Sequence, residues 1–340
     1  MPSRPISLAV LGATGLAGRT VLDLLPGSDL DVAELRLLAS SRSVGSRLEV
    51  DGEEFAVSTL AESSFRGIDV AIFCAPAEVA RAWAPRAWAE GCAVVDSSSA
   101  FRADPEVPLV VPEVNSGSIA GFRAKGVVAL PAGSVAALAA VLAPLHAAAG
   151  LTRVAVTTLE PVASGGRRAV EQLEREAADL MNGREPEAGG VLPHRIAFNL
   201  VPQVGPFLPD GRTAEEAAIA AELRRILGLP SLGLTATAVR VPIFFGLTAV
   251  VNVATERPLP AGEARALLRG SPGVKVVDAP EEGVYPMPML TVNDEAVLVG
   301  RIRDDPSLDH GLDLLLATDD LRKGGAANAL RVAGRIAEGL

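Results

Sequence analysis

The sequence predicts a two-domain α/β chain with a parallel sheet in its first part and a mixed sheet in its second. Three observations carry that reading. Short apolar runs alternate with helix-like segments up to about residue 130. Longer β-rich runs lie beside helices of clear apolar periodicity after about residue 150. The 340-residue length is enough for two ordinary cores.

Residues 8–11 are an apolar run suited to a buried parallel strand, and Val21, Leu22, Leu24 and Leu25 give the next segment an apolar helical face. Gly12, Gly15 and Gly18 punctuate the turn between them. Such a turn lets a pyrophosphate approach the N–H groups at the helix start, which makes Gly12, Thr14, Gly15, Leu16 and Ala17 candidates for cofactor binding. The spacing is GxxGxxG and not GxGxxG, so a tight strand-to-helix corner without a ligand stays open as the alternative. Residues 35–39 form the next strand and end in Ser40-Ser41-Arg42-Ser43. In a dinucleotide fold this end faces the adenine ribose, where Arg42 with the hydroxyls of Ser40 and Ser43 suits a 2′-phosphate, hence NADP over NAD. A solvated arginine in a polar turn is the other reading. Residues 70–73 and 93–96 continue as buried strands, with a helix between them through about Glu90, and the runs 109–111 and 127–130 keep the same grain.

The second part differs. Residues 154–159 are strand-like, and Ser164-Gly165-Gly166 opens a helix whose Val170, Leu173, Ala177 and Leu180 recur at helical spacing up to Gly183. Residues 196–201 read as extended. Thr213, with Glu216 three residues on, is a capping-box pattern, and Ile219, Leu223 and Ile226 face inward until Gly228-Leu229-Pro230 ends that helix. Residues 235–241, 248–254 and 296–302 are β-rich. A sheet with one helix-covered face could offer the other to a partner subunit, with Val241, Ile243, Phe244 and Val250 as surplus apolar residues. Residues 320–338 read as a helix that returns to the first domain.

Composition narrows the function. The chain is 49% hydrophobic and 21% charged with a net charge of −10, which argues against nucleic acid or an anionic membrane as partner. The apolar stretch near residues 135–151 contains Pro144 and His146, so no membrane span is expected. The start runs directly into a strand, and Cys74 and Cys92 lie in apolar runs, which together imply the cytoplasm, with neither cysteine a metal ligand. Lysine occurs only at Lys125, Lys275 and Lys323, so a single arginine carries little weight as a motif residue.

The segments GATGLAG, LLASSRSVG, DSSSAFRADPEVPLVVPEVN, HRIAFNLVPQVG, RVPIFFG, GRIR and DDLRKGGAANA resemble, in the same order, the motifs of bacterial aspartate-semialdehyde dehydrogenase. The resemblance runs from residue 8 to about 335. It implies an N-terminal Rossmann-type dinucleotide-binding domain over residues 1–130, joined by the C-terminal helix 320–340. It also implies an α+β catalytic and dimerisation domain of the semialdehyde dehydrogenase type over residues 131–319. The family's reaction interconverts aspartyl phosphate and aspartate semialdehyde with NADP through a cysteine thioester or thiohemiacetal, in a homodimer. By the same resemblance Arg102, Arg240 and Glu215 match substrate-binding positions, which leaves a small anionic ligand possible.

The sequence departs from that pattern where the chemistry needs a thiolate and an acid/base group. Gly133 occupies the nucleophile's position and Leu247 that of the histidine. Pro161 stands for the orienting glutamine, three residues before Ser164-Gly165, and Ala218 for the phosphate-binding lysine after Glu215-Glu216. Asp320 falls where the family has asparagine, and Ser46 where it often has lysine. Ser134 is expected to cap the helix it precedes. The sequence therefore resembles the Usg-type homologues that share the fold and lack the thiol. The alternatives are an NADP-dependent oxidoreductase acting on another acidic substrate, and a non-enzymatic dimeric interaction protein.

Overall fold

The computed structural model describes residues 5–62, 64–187 and 189–339. The chain forms two compact units, Met1–Gly133 with Gly324–Leu340, and Ser134–Lys323.

In the first unit the order is β1 (Ile6–Leu11), α1 (Leu16–Leu24), β2 (Val32–Ala39), β3 (Arg47–Val50), β4 (Glu53–Thr59), β5 (Val70–Phe73), α2 (Ala77–Ala89), β6 (Ala93–Asp96), α3 (Pro112–Asn115) and β7 (Val127–Ala129). They make a seven-stranded sheet in the order β3-β4-β2-β1-β5-β6-β7. All neighbours are parallel except β3 and β4. The buried strands β5 and β6 lack polar alternation because both faces are covered. The hairpin of β3 and β4 was not among the expected strands, although Asp51-Gly52, both with positive φ, is the two-residue turn that such a hairpin favours. Residues 109–111, expected as a strand, contribute only an isolated bridge between Leu109 and Ala129.

The second unit contains α4 (Gly133–Ala149), β8 (Leu151–Glu160), α5 (Arg167–Met181), α6 (Ala214–Leu227), β9 (Gly233–Arg240), β10 (Leu247–Thr255), α7 (Ala261–Arg269), β11 (Val274–Val276), β12 (Val297–Asp305) and β13 (Gly311–Thr318). The six-stranded sheet runs β11-β12-β13-β10-β8-β9. Its centre is antiparallel, while β8 with β9 and β11 with β12 are parallel. α4 is apolar all round and accordingly buries Val135, Leu138, Val141, Leu142 and Leu145. The Thr213–Glu216 capping box forms, and Gly228 closes α6 in the left-handed conformation. Three elements were not anticipated, α7, β11 and β13.

Three further expectations need correction. Residues 196–201 are not extended. The buried Glu176 carboxylate accepts the N–H groups of Ile196 and Ala197 at 2.8 and 3.0 Å, Phe198 turns to a φ of +57°, and only Val201 pairs, with Arg240. Val241 is not free for a partner, being buried within its own unit, whereas Val250, Phe244 and Ile243 stay exposed. Residues 320–338 are not one α-helix. A π-helical segment, Leu321–Ala326, precedes the final helix Ala327–Ala337, whose Leu330, Val332 and Ile336 enter the core of the first unit and which packs on β5 and β6.

At that π-helical segment Gly324 lies so close to Gly133 that a side chain on Gly324 would run into the Gly133 Cα. Gly324→Ala is expected to cost about 1–3 kcal/mol by forcing two backbone segments apart. Gly27→Ala, where nothing lies within 4 Å of the added carbon, should stay within about 0.5 kcal/mol. Urea unfolding of both variants checks the contrast.

Candidate functional site

In the first unit β1 delivers the chain to Gly12 between β2 and β5, where the strand order reverses; in open α/β sheets the ligand crevice lies at such a point. Gly12 has a φ of +85°, and any side chain on it would collide with the Cys74 carbonyl oxygen just beyond β5. Gly18, in the first turn of α1, is held against the Gly12 carbonyl in the same way. The Gly15 N–H donates to the Gly12 carbonyl at 2.9 Å and Gly15 then serves as the N-cap of α1 without any side-chain cap. The first-turn N–H groups, those of Leu16 and Ala17 included, thus receive nothing from a capping side chain, and such groups attract an anion. Thr14 Oγ1 and Ser43 Oγ meet at 3.1 Å, the Ser43 N–H donates to the Ser40 carbonyl at 2.9 Å, and Arg42 between them is exposed. Arg102 is tied to the backbone of this unit. Its Nε donates to the Leu130 carbonyl and its Nη2 to the Ser97 carbonyl, both at 2.9 Å.

In the second unit Glu160 and Arg240, the last residues of β8 and β9, are register partners. Both are buried, 4% and 6% exposed, so neither charge is relieved by water. Arg240 Nη1 donates to the Pro161 carbonyl, while Arg240 Nε and Glu160 Oε1 have no hydrogen-bond partner among the described residues. Glu215 in the first turn of α6 and Asp320 just past β13 complete the group, and Asp320 accepts a hydrogen bond from Ser164 Oγ at 2.9 Å. Burial, followed by the negative charges of Glu215 and Asp320, pushes the Glu160 carboxyl up to about 8 against the pull of Arg240. Burial also raises Asp320 to about 6, with Asp319 adding to the rise and Ser164 and Arg240 opposing it. Arg240 is lowered by burial and held back by the three carboxylates. Beside it opens a cavity of about 460 Å³, with Val191, Leu192, Pro193, Pro206 and Gln203 among its walls.

Residues 7–122 match the family profile described as semialdehyde dehydrogenase, NAD binding domain, and residues 142–323 match the dimerisation domain of the same family. The chain belongs to the aspartate-semialdehyde dehydrogenase family. It is 40% identical over 327 residues to the aspartate-semialdehyde dehydrogenase of Aquifex aeolicus, covering 96% of each chain. It is 36% identical over 337 residues to that of Bacillus subtilis, covering 97% of each. Among solved structures it is similar to aspartate semialdehyde dehydrogenase II of Vibrio cholerae complexed with ASA, with a TM-score of 0.95, 35% identity and 98% of both chains covered. The two units are the family's Rossmann-like nucleotide-binding domain and its dimerisation domain.

Gly133 is the first residue of α4, and Leu247, 1% exposed, is the first of β10. Neither side chain attacks or transfers a proton. The residue beside Arg240 is Glu160, which the sequence reading missed; Pro161 offers only its carbonyl. An acidic residue closing the β-rich run VAVTTLE was the available signal. Ala218 is apolar, and the neighbouring Glu216 is spent on structure, accepting from the N–H groups of Thr213 and Ala238 at 2.7 and 3.0 Å. Ser134 does not cap α4. The helix already begins at Gly133, so Ser134 has helical backbone and a buried hydroxyl without a partner among the described residues. Burial pushes the Cys74 thiol up to about 12 and raises Cys92 as well, so neither supplies a thiolate at neutral pH. His146 Nδ1 accepts the Leu151 N–H at 3.0 Å, a structural bond. Asn328 was also missed. It is fully buried in the final helix, and both of its amide atoms lack a partner among the described residues.

Glu160 binds its proton more tightly folded than unfolded, so the stability it contributes is present below its ordinary value near 4.5 and is lost as pH rises through about 8. Asp320 acts in the same sense up to about 6. Glu160→Gln should therefore raise the urea midpoint more at pH 8.5 than at pH 5, and an equal change at both would contradict this assignment.

Proposed function

We propose that this chain is a Usg-type member of the family that binds NADP in its first unit, pairs through its second, and does not carry out the family's thiol chemistry. The observation that carries the reading is the pair Gly133 and Leu247, at positions where the family's mechanism needs a nucleophile and an acid/base group. The raised thiols of Cys74 and Cys92 and the buried Ser134 hydroxyl provide no substitute.

The residues of the first unit fit a dinucleotide. Gly12 and Gly18 keep the turn free of side chains, the uncapped start of α1 suits a pyrophosphate, and Ser40, Arg42 and Ser43 supply donors for a 2′-phosphate. When bound, NADP supplies hydride transfer at its nicotinamide. Arg102, Arg240 and Glu215 are the residues proposed to meet a small anionic substrate. A partner subunit is supported by the match to the dimerisation domain and by the exposed Ile243, Phe244 and Val250.

A charge-assisted hydrogen bond to phosphate contributes roughly 1.5–3 kcal/mol, so Arg42→Ala should weaken NADPH about 10- to 150-fold in calorimetric titration and leave NADH nearly unchanged. Light scattering at micromolar concentration should give twice the 35.0 kDa chain mass. With NADP, phosphate and aspartate semialdehyde supplied, no phosphate-dependent NADPH should form. Removing a nucleophile and its base costs about a million-fold in rate, and such losses overlap. Gly133→Cys alone should accordingly recover almost nothing, and turnover should need Leu247→His, Pro161→Gln and Ala218→Lys as well. Turnover by the natural protein within about tenfold of an ordinary family enzyme would overturn the proposal.

A further inference from the structure

Residues 185–198 are held in place without helix or strand, and among the described residues none of their backbone N–H groups donates to a backbone carbonyl. Two side chains of α5 receive these donors instead. Gln172 Oε1 accepts from Val191 and Leu192 at 2.9 and 3.1 Å. Glu176 Oε2 accepts from Ile196 and Ala197 at 2.8 and 3.0 Å. Gln172 Nε2 joins the two by donating to Glu176 Oε1 at 2.8 Å, and both side chains are buried. The pairing is chemically demanding. The backbone donors need an acceptor oxygen from each side chain, and the bond between the side chains needs one further donor, so one amide with one carboxylate meets the count. Two amides leave an N–H facing an N–H, and two carboxylates leave no donor between them.

The surroundings fit the same pair. A side chain on Gly190 would run into the Gln172 carboxamide. Ile196, Ala197 and Leu192 pack with Ala169 and Leu173 of α5. The far end is fixed differently, since Val201 and Arg240 exchange both backbone hydrogen bonds, at 3.0 and 2.8 Å. Between these attachments Phe198 and Leu200 are exposed. Gly190, Val191, Leu192 and Pro193 are walls of the cavity that Arg240 also lines, so whatever holds the backbone of Val191 and Leu192 holds a wall of that cavity.

We infer that residues 190–200 form a strap along the Arg240 cavity, latched to α5 by Gln172 and Glu176 as positioning residues, and that the strap opens as one unit about the Val201–Arg240 bridge and takes one wall of the cavity with it. Because a hydrogen bond joins the two side chains, loss of either disturbs the acceptor held by the other, and the N–H groups at both ends of the latch are released together. Opening uncovers only the small apolar cluster on α5, so it takes less free energy than unfolding the six-stranded sheet. The strap is independent of which ligand Arg240 meets and of whether NADP binds the first unit.

Hydrogen exchange of the whole protein, followed by mass spectrometry, reads the opening at residues 190–197. Brief digestion with trypsin reads it at the Arg195–Ile196 bond, because Ile196 is fully buried while the strap is closed. In the natural protein, residues 191–192 and 196–197 should exchange through one common opening, faster than the amides of β8 and β10. Gln172→Glu and Glu176→Gln should each raise that exchange and the cleavage after Arg195 by about 5- to 150-fold, the effect of leaving a buried polar group unanswered, with β8, β10 and Val201 unchanged. The double variant Gln172→Glu/Glu176→Gln restores the donor count and should return both readings to within about threefold of the natural protein. Gly190→Ala displaces Gln172 without removing a hydrogen-bonding group; it should open the strap in the same way, and it serves if the single polar variants do not fold. The inference is overturned by equal acceleration in strap and sheet, by acceleration at 191–192 without 196–197, by a double variant no better than the worse single one, or by no acceleration in any folded single variant.

Discussion

A guanidinium buried 6% exposed at the end of a strand has to be compensated where it stands, and much of the second unit's polar interior follows from that need. Arg240 is compensated by the Pro161 carbonyl and by three carboxylates carried on three different elements. The register of β8 against β9 sets Glu160 opposite it, and the capping box that starts α6 places Glu215 in the first helical turn. The same arrangement overcompensates. With one guanidinium facing three carboxylates the group carries more negative than positive charge, and the cheaper state for Glu160 and Asp320 is protonated. The raised carboxyls of Glu160 and Asp320 are therefore the electrostatic remainder of one buried cation with too many counterions.

The first unit depends on a different constraint, the approach of backbone to backbone. Gly12 against Cys74 and Gly18 against Gly12 are contacts that no side chain can enter. They bring β1, the loop after β5 and the start of α1 into one small volume. The helix N-terminus is left uncapped there, and an uncapped N-terminus beside a reversal of strand order is a site whose electrostatics favour an anion. The nucleotide-binding architecture is thus a property of glycine positions and not of ionisable residues.

That difference explains what could be read from the sequence. The glycine turn, the parallel strands β1, β2, β5 and β6, and α6 with its cap and its left-handed end all leave local signatures in spacing and residue type. The β3–β4 hairpin was overlooked because its strands alternate charged and apolar residues on an edge, where hydrophobic runs are weak, although Asp51-Gly52 marked the turn. Residues 196–201 were misread because the backbone donors of Ile196 and Ala197 go to a side chain, Glu176, 20 and 21 positions away, and no local pattern announces such a bond. Arg240 and Glu215 were named through motif resemblance. Glu160 was not, since its place beside Arg240 is fixed by strand register, which only the fold supplies.

Leucine at residue 247 also makes sense as packing. Leu247 is 1% exposed, and burying a leucine contributes roughly 1.5–3 kcal/mol relative to leaving it in water. An imidazole at the same point would need hydrogen-bonding partners in a dry environment. Thr318, directly opposite Leu247 in the antiparallel pair, is fully buried, and its hydroxyl and that of the nearby Thr248 have no partner among the described residues. Each such buried group costs about 1–3 kcal/mol. The sheet therefore gains an apolar contact at residue 247 beside buried hydroxyls that have no partner among the described residues. Thr248 and Thr318 are themselves part of β10 and β13 and fit their pleats. Their unanswered hydroxyls are tolerated for the same reason the glycine turn is: the backbone that carries them is set by packing elsewhere.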